Sequence, residues 1–191
     1  IKDKLKAIPL PLQIPIGNEH NFKGVVDLIS MKALYWQGDK GEEILEQNIP
    51  RELTADAKEF RNELIEKLAE YDDNVMERYL EGIEPDVDNI KTAIRNGTVS
   101  LNLFPVFCGS ALKNKGVQPL LDAIVDYLPS PVDIKSVQGH NPNNLDEIIT
   151  RLADDNEPFC GLVFKIMSDP FVGKLSYLRV YSGHVKVGDI V

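Results

Sequence analysis

The residues best placed to do chemistry are Cys108-Gly109-Ser110-Ala111-Leu112, where the apolar run Phe104-Pro105-Val106-Phe107 ends abruptly in small side chains. An apolar strand would hold the following turn rigidly. Small side chains would leave its backbone N–H groups open to a flat ring, an approach that anything much larger than Ala would obstruct. Many α/β proteins own such a string, so the order of the elements around it must decide its meaning.

A second candidate is a stripe of carboxylates. Glu52, Asp56, Glu59, Glu63, Glu66 and Glu70 recur at alternating spacings of four and three, which puts them on one face of a helix. Like charges at i and i+4 cost roughly 0.2–0.5 kcal/mol per pair, and Glu63–Lys67 would offset part of that. The stripe is either a solvated face or an acidic docking face. His20, His140 and His184 fall in turns or polar stretches without a triad-like spacing, and read as surface histidines. Cys108 ends an apolar strand and reads as a buried small hydrophobe, and Trp36 with Tyr35 as a cluster beneath a hairpin. Asp154-Asp155 reads as solvated charge rather than a metal pair.

The 191 residues are 43% hydrophobic, enough for one good core or two modest ones. A net charge of −9 argues against a surface that wraps nucleic acid unaided, because phosphate affinity comes mainly from Lys and Arg. Two cysteines far apart in sequence make a disulfide framework or structural zinc a poor reading and fit a reducing compartment. No apolar run reaches the roughly 18 residues of a membrane span, and no signal peptide is evident. The chain begins with Ile, in what reads as the tail of a helix, as a piece of a longer protein would.

The pattern predicts a helix end over residues 1–5, stopped by Pro9 and Pro11, then a strand over 10–16. Residues 22–36 and 42–48 read as antiparallel strands joined through Gly38-Asp39-Lys40-Gly41. The period then changes to 3.6. A helix capped by Thr54 would bury Ala57, Phe60, Leu64, Leu68 and Tyr71. A second would start at Asp72-Asp73 and end at Gly82, and a third would run from Asp86 to Gly97. Residues 101–108 predict a buried strand, and residues 116–128 a helix burying Val117, Leu120, Leu121, Ile124 and Leu128 before Pro129-Ser130-Pro131 stops it. Residues 132–157 turn polar, with Asn141-Pro142-Asn143-Asn144 and Asp154-Asp155-Asn156, and read as a linker. Three strands follow, over 159–167, 175–181 and 185–191, too few to close a barrel.

Taken in order, several pieces resemble the elongation factor G family of translational GTPases. They are Phe22-Lys23-Gly24-Val25-Val26-Asp27-Leu28, Cys108-Gly109-Ser110-Ala111 with Lys113-Asn114-Lys115-Gly116-Val117-Gln118, and Leu121-Asp122-Ala123. Asp126-Tyr127-Leu128-Pro129-Ser130-Pro131-Val132-Asp133, Asp169-Pro170-Phe171-Val172-Gly173 and Arg179-Val180-Tyr181-Ser182-Gly183 complete the series. The resemblance covers essentially the whole chain. It implies an α/β architecture with an α+β insertion: the end of a P-loop-type GTPase domain that carries the insertion, followed by the first strands of a truncated β-barrel. In that scheme residues 1–12 end a helix and strand of the GTP domain, 13–99 form the insertion, and 100–131 supply the domain's last strand and helix. Residues 132–157 would be the linker and 158–191 the start of the barrel. Ser110, Ala111 and Leu112 would make the guanine contact, with a backbone N–H at Ala111 meeting the base oxygen.

The resemblance further implies GTP or GDP with Mg in the full-length protein, cytoplasmic work on the ribosome, and rRNA contact only through that full-length protein. Docking of the ribosomal stalk protein would fall to the insertion, through Glu59, Glu63, Glu66 and Glu70. The chain departs from the family in lacking a P-loop of the form G-x-x-x-x-G-K-[ST]. Asn114-Lys115 does not replace the Asn-Lys-x-Asp motif, since Val117 stands where its Asp belongs. No catalytic residue, metal ligand or bound nucleotide is therefore expected in this segment alone. A ribosomal-protection protein, a release-factor GTPase and a pure protein-interaction module are the alternatives.

Overall fold

A computed structural model describes residues 2–38, 41–133, 136–141 and 143–191. Ile1 of the expected N-terminal helix, Asp39 and Lys40 of the expected hairpin turn, and Ile134, Lys135 and Pro142 of the polar stretch lie outside the described residues. The chain divides into two compact units, Ile1–Leu128 and Pro129–Val191. It is a mixed α/β protein with several small sheets.

In the first unit a single turn of helix, α1 (Lys2–Leu5), precedes the prolines that forbid its continuation. The stretch expected as one strand is two: β1 (Pro9–Pro11) and β2 (Gln13–Ile16) join different sheets. β1 pairs in parallel with β6 (Phe104–Val106), Leu10 opposite Pro105. β2 opens an antiparallel four-stranded sheet with β3 (Gly24–Asp27), β4 (Lys32–Gln37) and β5 (Glu43–Gln47), in that spatial order. The predicted return strand is thus β5, with Trp36 opposite Ile44.

Three helices follow, α2 (Thr54–Ala69), α3 (Asp73–Glu81) and α4 (Val87–Val99), packed on one another, with α2 also against β1 and α4 against β6. Two starts follow the expected chemistry. The Asp72 carboxylate accepts from the Asn74 and Val75 N–H groups, and Asp86 from Asn89 N–H, satisfying donors that a helix start leaves open. Gly82 ends α3 in the left-handed region at φ 71°.

Thr54 does not cap α2. A 3-10 turn over Arg51–Leu53 precedes it, so Thr54 is already helical and its hydroxyl donates to Pro50 O at 3.1 Å. Gly97 does not end α4 either. It sits inside the helix because a Cβ there would lie 2.5 Å from Leu103 Cδ1, and Leu103 is wholly buried.

The inward face of α2 carries Ala57, Arg61, Leu64, Ile65, Leu68 and Ala69, whereas Phe60 is 38% exposed. Arg61 takes the place expected of Phe60 because the turn that follows β3 presents two carbonyls there. Its Nη1 donates to Leu28 O at 2.7 Å and Ile29 O at 3.1 Å, while Nε and Nη2 donate to Glu84 Oε1 at 3.3 and 3.1 Å. A buried guanidinium is tolerated when its donors are used in this way.

β6 is shorter and more open than the buried strand expected. Leu103 is buried, but Phe104 is exposed, because β6 pairs only with β1 among the described residues. α5 (Val117–Tyr127) also turns otherwise than expected. It buries Ala123 and Tyr127, while Leu120, Leu121, Ile124 and Leu128 are exposed. Its tether to α4 fixes that rotation: Lys91 Nζ meets Asp126 Oδ2 at 2.9 Å and Arg95 Nη1 donates to the Asp126 and Leu128 carbonyls.

The second unit contains two antiparallel hairpins. Residues expected to be a linker fold as β7 (Val137–Asn141) and β8 (Asn144–Arg151), since the Asn-rich turn reverses the chain and lets polar strands pair with both faces largely exposed. β9 (Cys160–Asp169) and β10 (Gly173–Ser182) form the second hairpin, with Phe164 and Tyr177 rings 6.4 Å apart. The third strand expected over 185–191 is not formed; no edge in this unit pairs with it among the described residues. No closed barrel is present among the described residues.

Arg61→Ala leaves two buried carbonyls without their donor, at about 1–3 kcal/mol per group, so urea denaturation should show a loss of about 2–6 kcal/mol. Glu84→Gln should cost under about 1 kcal/mol, because Glu84 is largely exposed. At the β9–β10 turn the Val172 and Phe171 N–H groups hold the Asp169 carboxyl below the ordinary carboxylate range. A depressed folded-state pKa contributes stability above the unfolded value of about 3.9, lost as pH falls through the folded pKa. An NMR titration of the Phe171 and Val172 amides should therefore show a midpoint below that value, and Asp169→Asn should abolish it.

Candidate functional site

The loop between β6 and α5 is a tight, self-bonded structure. Ser110 and Lys115 bridge through Ser110 N–H to Lys115 O (2.8 Å) and Lys115 N–H to Ser110 O (3.1 Å). Between them Ala111–Lys113 make one 3-10 turn, closed by Lys113 N–H to Ser110 O, and Asn114 takes the left-handed conformation at φ 48°. Two glycines permit the closure. A Cβ on Gly109 would lie 2.8 Å from Lys115 O, and one on Gly116, at φ 85°, would lie 2.6 Å from Cys108 O.

The three candidate residues sit together on this turn. Ser110 is half-buried, Ala111 is exposed, and Leu112 is 98% exposed, its side chain standing clear of the loop. The Ala111 and Leu112 N–H groups open the turn and donate to nothing among the described residues. The arrangement can thus meet the acceptor edge of a flat ring with backbone donors. It could serve one edge of a guanine base, and it offers nothing that would cradle phosphates. Among the described residues, no group of three His, Cys, Asp or Glu side chains is placed to hold a metal ion.

Sequence reasoning missed the side chain that steadies this loop from the other side. Gln118, in the first turn of α5, accepts from Trp36 Nε1 at 3.0 Å and donates through Nε2 to Gly41 O at 2.9 Å. The tip of the β4–β5 hairpin is thereby fastened beside the loop, and a Cβ on Gly41 would come within 2.9 Å of Asn114 O. Only a polar residue facing an indole N–H could have signalled this, and the pair is 82 residues apart. Trp36 is buried, Tyr35 is half-buried, and the indole is committed to that bond.

Cys108 is half-buried rather than buried. Its N–H donates to Gln13 Oε1, and burial pushes its thiol above the ordinary value, which disfavours the reactive thiolate. The three histidines are exposed; His140 Nδ1 lies 2.7 Å from Leu145 O and His184 Nδ1 3.2 Å from Asp155 O.

Glu59, Glu63 and Glu66 on α2 and Glu70, which caps its C-terminus, are all exposed, with Glu52 and Asp56 continuing the row. The Glu63–Lys67 pair does not form. Among the described residues the ion pairs are Arg61–Glu84, Arg78–Asp86 and Lys91–Asp126, so the row is without an ion-paired cation.

No helix among the described residues is long and apolar enough to cross a membrane. No protein-family model matches the chain. A solved structure of a Thermus thermophilus protein is similar to it, with 30% identity and a TM-score of 0.71 over 95% of this chain. The chain spans 24% of that protein's length.

The loop geometry predicts the effect of one methyl group. Gly116→Ala would combine a strained φ with a collision against Cys108 O, at a cost of about 1–3 kcal/mol. Amide hydrogen exchange at Ser110 and Lys115 should accelerate, while exchange at Leu64 and Ile90 in the helical core stays within the change in global stability.

Proposed function

We propose that this chain is an internal part of a translational GTPase of the elongation factor G type, whose parent protein hydrolyses GTP in the cytoplasm to drive translocation on the ribosome. On this reading the first unit combines the end of a P-loop-type GTPase domain with an α+β insertion, and the second unit begins a β-barrel domain. The observation that carries it is the β6–α5 loop, where Ala111 and Leu112, held by Ser110, offer free backbone donors at the end of a parallel strand. Ser110 holds the loop through its bridge to Lys115, and Ala111 N–H is the donor for the base oxygen. GTP or GDP and Mg belong to the parent protein, which would have to supply the phosphate and metal ligands that this segment lacks. No residue here takes a catalytic role.

The unpaired carboxylate row on α2 supports the second part of the reading, docking of the ribosomal stalk protein by Glu59, Glu63, Glu66 and Glu70. Four uncompensated charges on one exposed face favour a basic partner and speed its encounter. Ribosomal-protection and release-factor GTPases share this order of parts and remain the alternative within the superfamily; a pure interaction module is the alternative outside it.

Both parts are testable on the isolated chain. Guanosine should shift the Ala111 and Leu112 amide resonances more than adenosine does, with millimolar affinity because only one wall of the pocket is present. Micromolar GDP binding would contradict that incomplete pocket, and no guanine preference would remove the nucleotide reading. In a calorimetric titration with purified ribosomal stalk protein, Glu66→Lys with Glu70→Lys should weaken binding at least tenfold. Unchanged affinity would dismiss the docking face.

A further inference from the structure

A cavity of about 400 Å³ opens between the four-stranded sheet and α5, lined by none of the residues of the Ser110–Lys115 turn, and two of its side chains, Gln13 and Tyr127, carry a polar group without a protein partner among the described residues. Gln13 is only 4% exposed. Its Oε1 accepts from Cys108 N–H at 3.3 Å, which fixes the amide orientation and leaves Nε2 without an acceptor among the described residues. Tyr127 is likewise 4% exposed, and its hydroxyl has no hydrogen-bond partner among the described residues. Every fully enclosed side-chain N or O atom among the described residues has a partner, so these two groups reach the cavity, whose wall both residues form.

The charges around the cavity are unequal. Asp27, Glu46, Asp122 and Asp126 line it against a single cation, Lys91, whose ammonium is held by Asp126 at 2.9 Å. Asp27 turns its oxygens to Ile29 and Ser30 N–H but keeps its charge, so the surplus is Asp27, Glu46 and Asp122. Burial, then the charges of Asp126 and Asp27, pushes the Tyr127 phenol above its ordinary value, so it stays a neutral donor. Ile29 and Phe107 supply an apolar wall, and the volume lies in the range of small-ligand pockets.

We infer that this cavity binds an aliphatic ammonium carrying a carbonyl acceptor, the chemistry of a lysyl residue, supplied either free or within a peptide. The carbonyl answers the Gln13 amide and Tyr127 hydroxyl donors, the stem lies along Ile29 and Phe107, and the ammonium meets the carboxylate surplus. An anion is excluded by that surplus, and a hydrocarbon would leave Gln13 and Tyr127 unpaired. The site is independent of the nucleotide reading.

The test is an NMR titration of the isotopically labelled chain with Nα-acetyl-lysine N-methylamide. Its norleucine analogue lacks the charge, and cadaverine lacks the carbonyl. Saturable shifts of the Gln13 side-chain amide are expected with the lysine derivative, at least tenfold tighter than with either control, and weakened at least threefold by Asp122→Asn and by Tyr127→Phe. Asp122 is exposed, so its variant keeps the fold while removing charge. Equal binding of either control, insensitivity to Asp122→Asn, or an unmoved Gln13 amide, meaning a cavity that holds water only, would overturn the inference. A Gly-Ser-Lys-Ser-Gly peptide binding as tightly as the derivative would identify a protein segment as the source. Binding of the derivative alone would identify a free amine.

Discussion

One residue joins the two sheets of the first unit. Leu12 donates its N–H to Val106 O at 3.0 Å, on the side of the parallel pair, and its carbonyl accepts from Leu28 N–H at 2.9 Å, on the side of the antiparallel sheet. Its side chain is wholly buried, as is that of Leu10 two residues before it. Closing the long stretch of chain between β2 and β6 costs entropy that rises only slowly with its length, so a few well-buried contacts suffice to hold the closure. Gln13 adds another: its side chain accepts from Cys108 N–H across 95 residues of sequence. If this joint slipped by one residue, Leu10 and Leu12 would point away from the core and the β6–α5 loop would lose its footing.

The loop that carries the candidate donors is therefore held at three places by unlike interactions. β1 fixes its entry by parallel pairing, Gly109 and Gly116 let its two arms approach, and Gln118 ties the hairpin tip to its exit. Each is short-range and directional, and none uses Ala111 or Leu112 N–H. Rigidity is thus obtained without consuming the groups that would meet a ligand, which is the condition for a preorganised backbone contact. On the proposed reading the insertion does more than hang from the GTP domain, because its hairpin bears on the base-reading turn through Trp36 and Gly41.

What could be read from the sequence was what local chemistry decides. Asp72-Asp73 as a helix start, Asp86 as the start of the next, Gly82 as a stop, and the shift from a period of two to one of 3.6 near Pro50 all concern residues within a turn or two of one another. The misjudged points depend on distant neighbours. Phe60 outranks Arg61 in hydrophobicity, yet Arg61 turns inward because the Leu28 and Ile29 carbonyls, over 30 residues away, need a donor. Gly97 resembles a helix stop until Leu103 is found against it. The apolar stripe of α5 looks like a core face from its period, but rotation is set by Lys91 and Arg95 on α4, which leaves Leu120, Leu121 and Ile124 outward. The polar stretch at 132–157 shows the converse: low hydrophobicity forbids a core but does not forbid a hairpin.

Helix α2 shows how a row of like charges can coexist with a stable fold. Its carboxylates and its buried guanidinium lie on different faces, and Arg61 takes its counter-charge from Glu84, outside the helix, rather than from the stripe. The core contact is thereby insulated from anything that approaches the acidic row. Neutralising Glu59, Glu63, Glu66 or Glu70 with a basic partner would relieve repulsion within the helix and leave the Leu28 and Ile29 bonds untouched. Such a face can be charged for encounter without entering the core, because the residue that pins α2 to the sheet is satisfied independently of it.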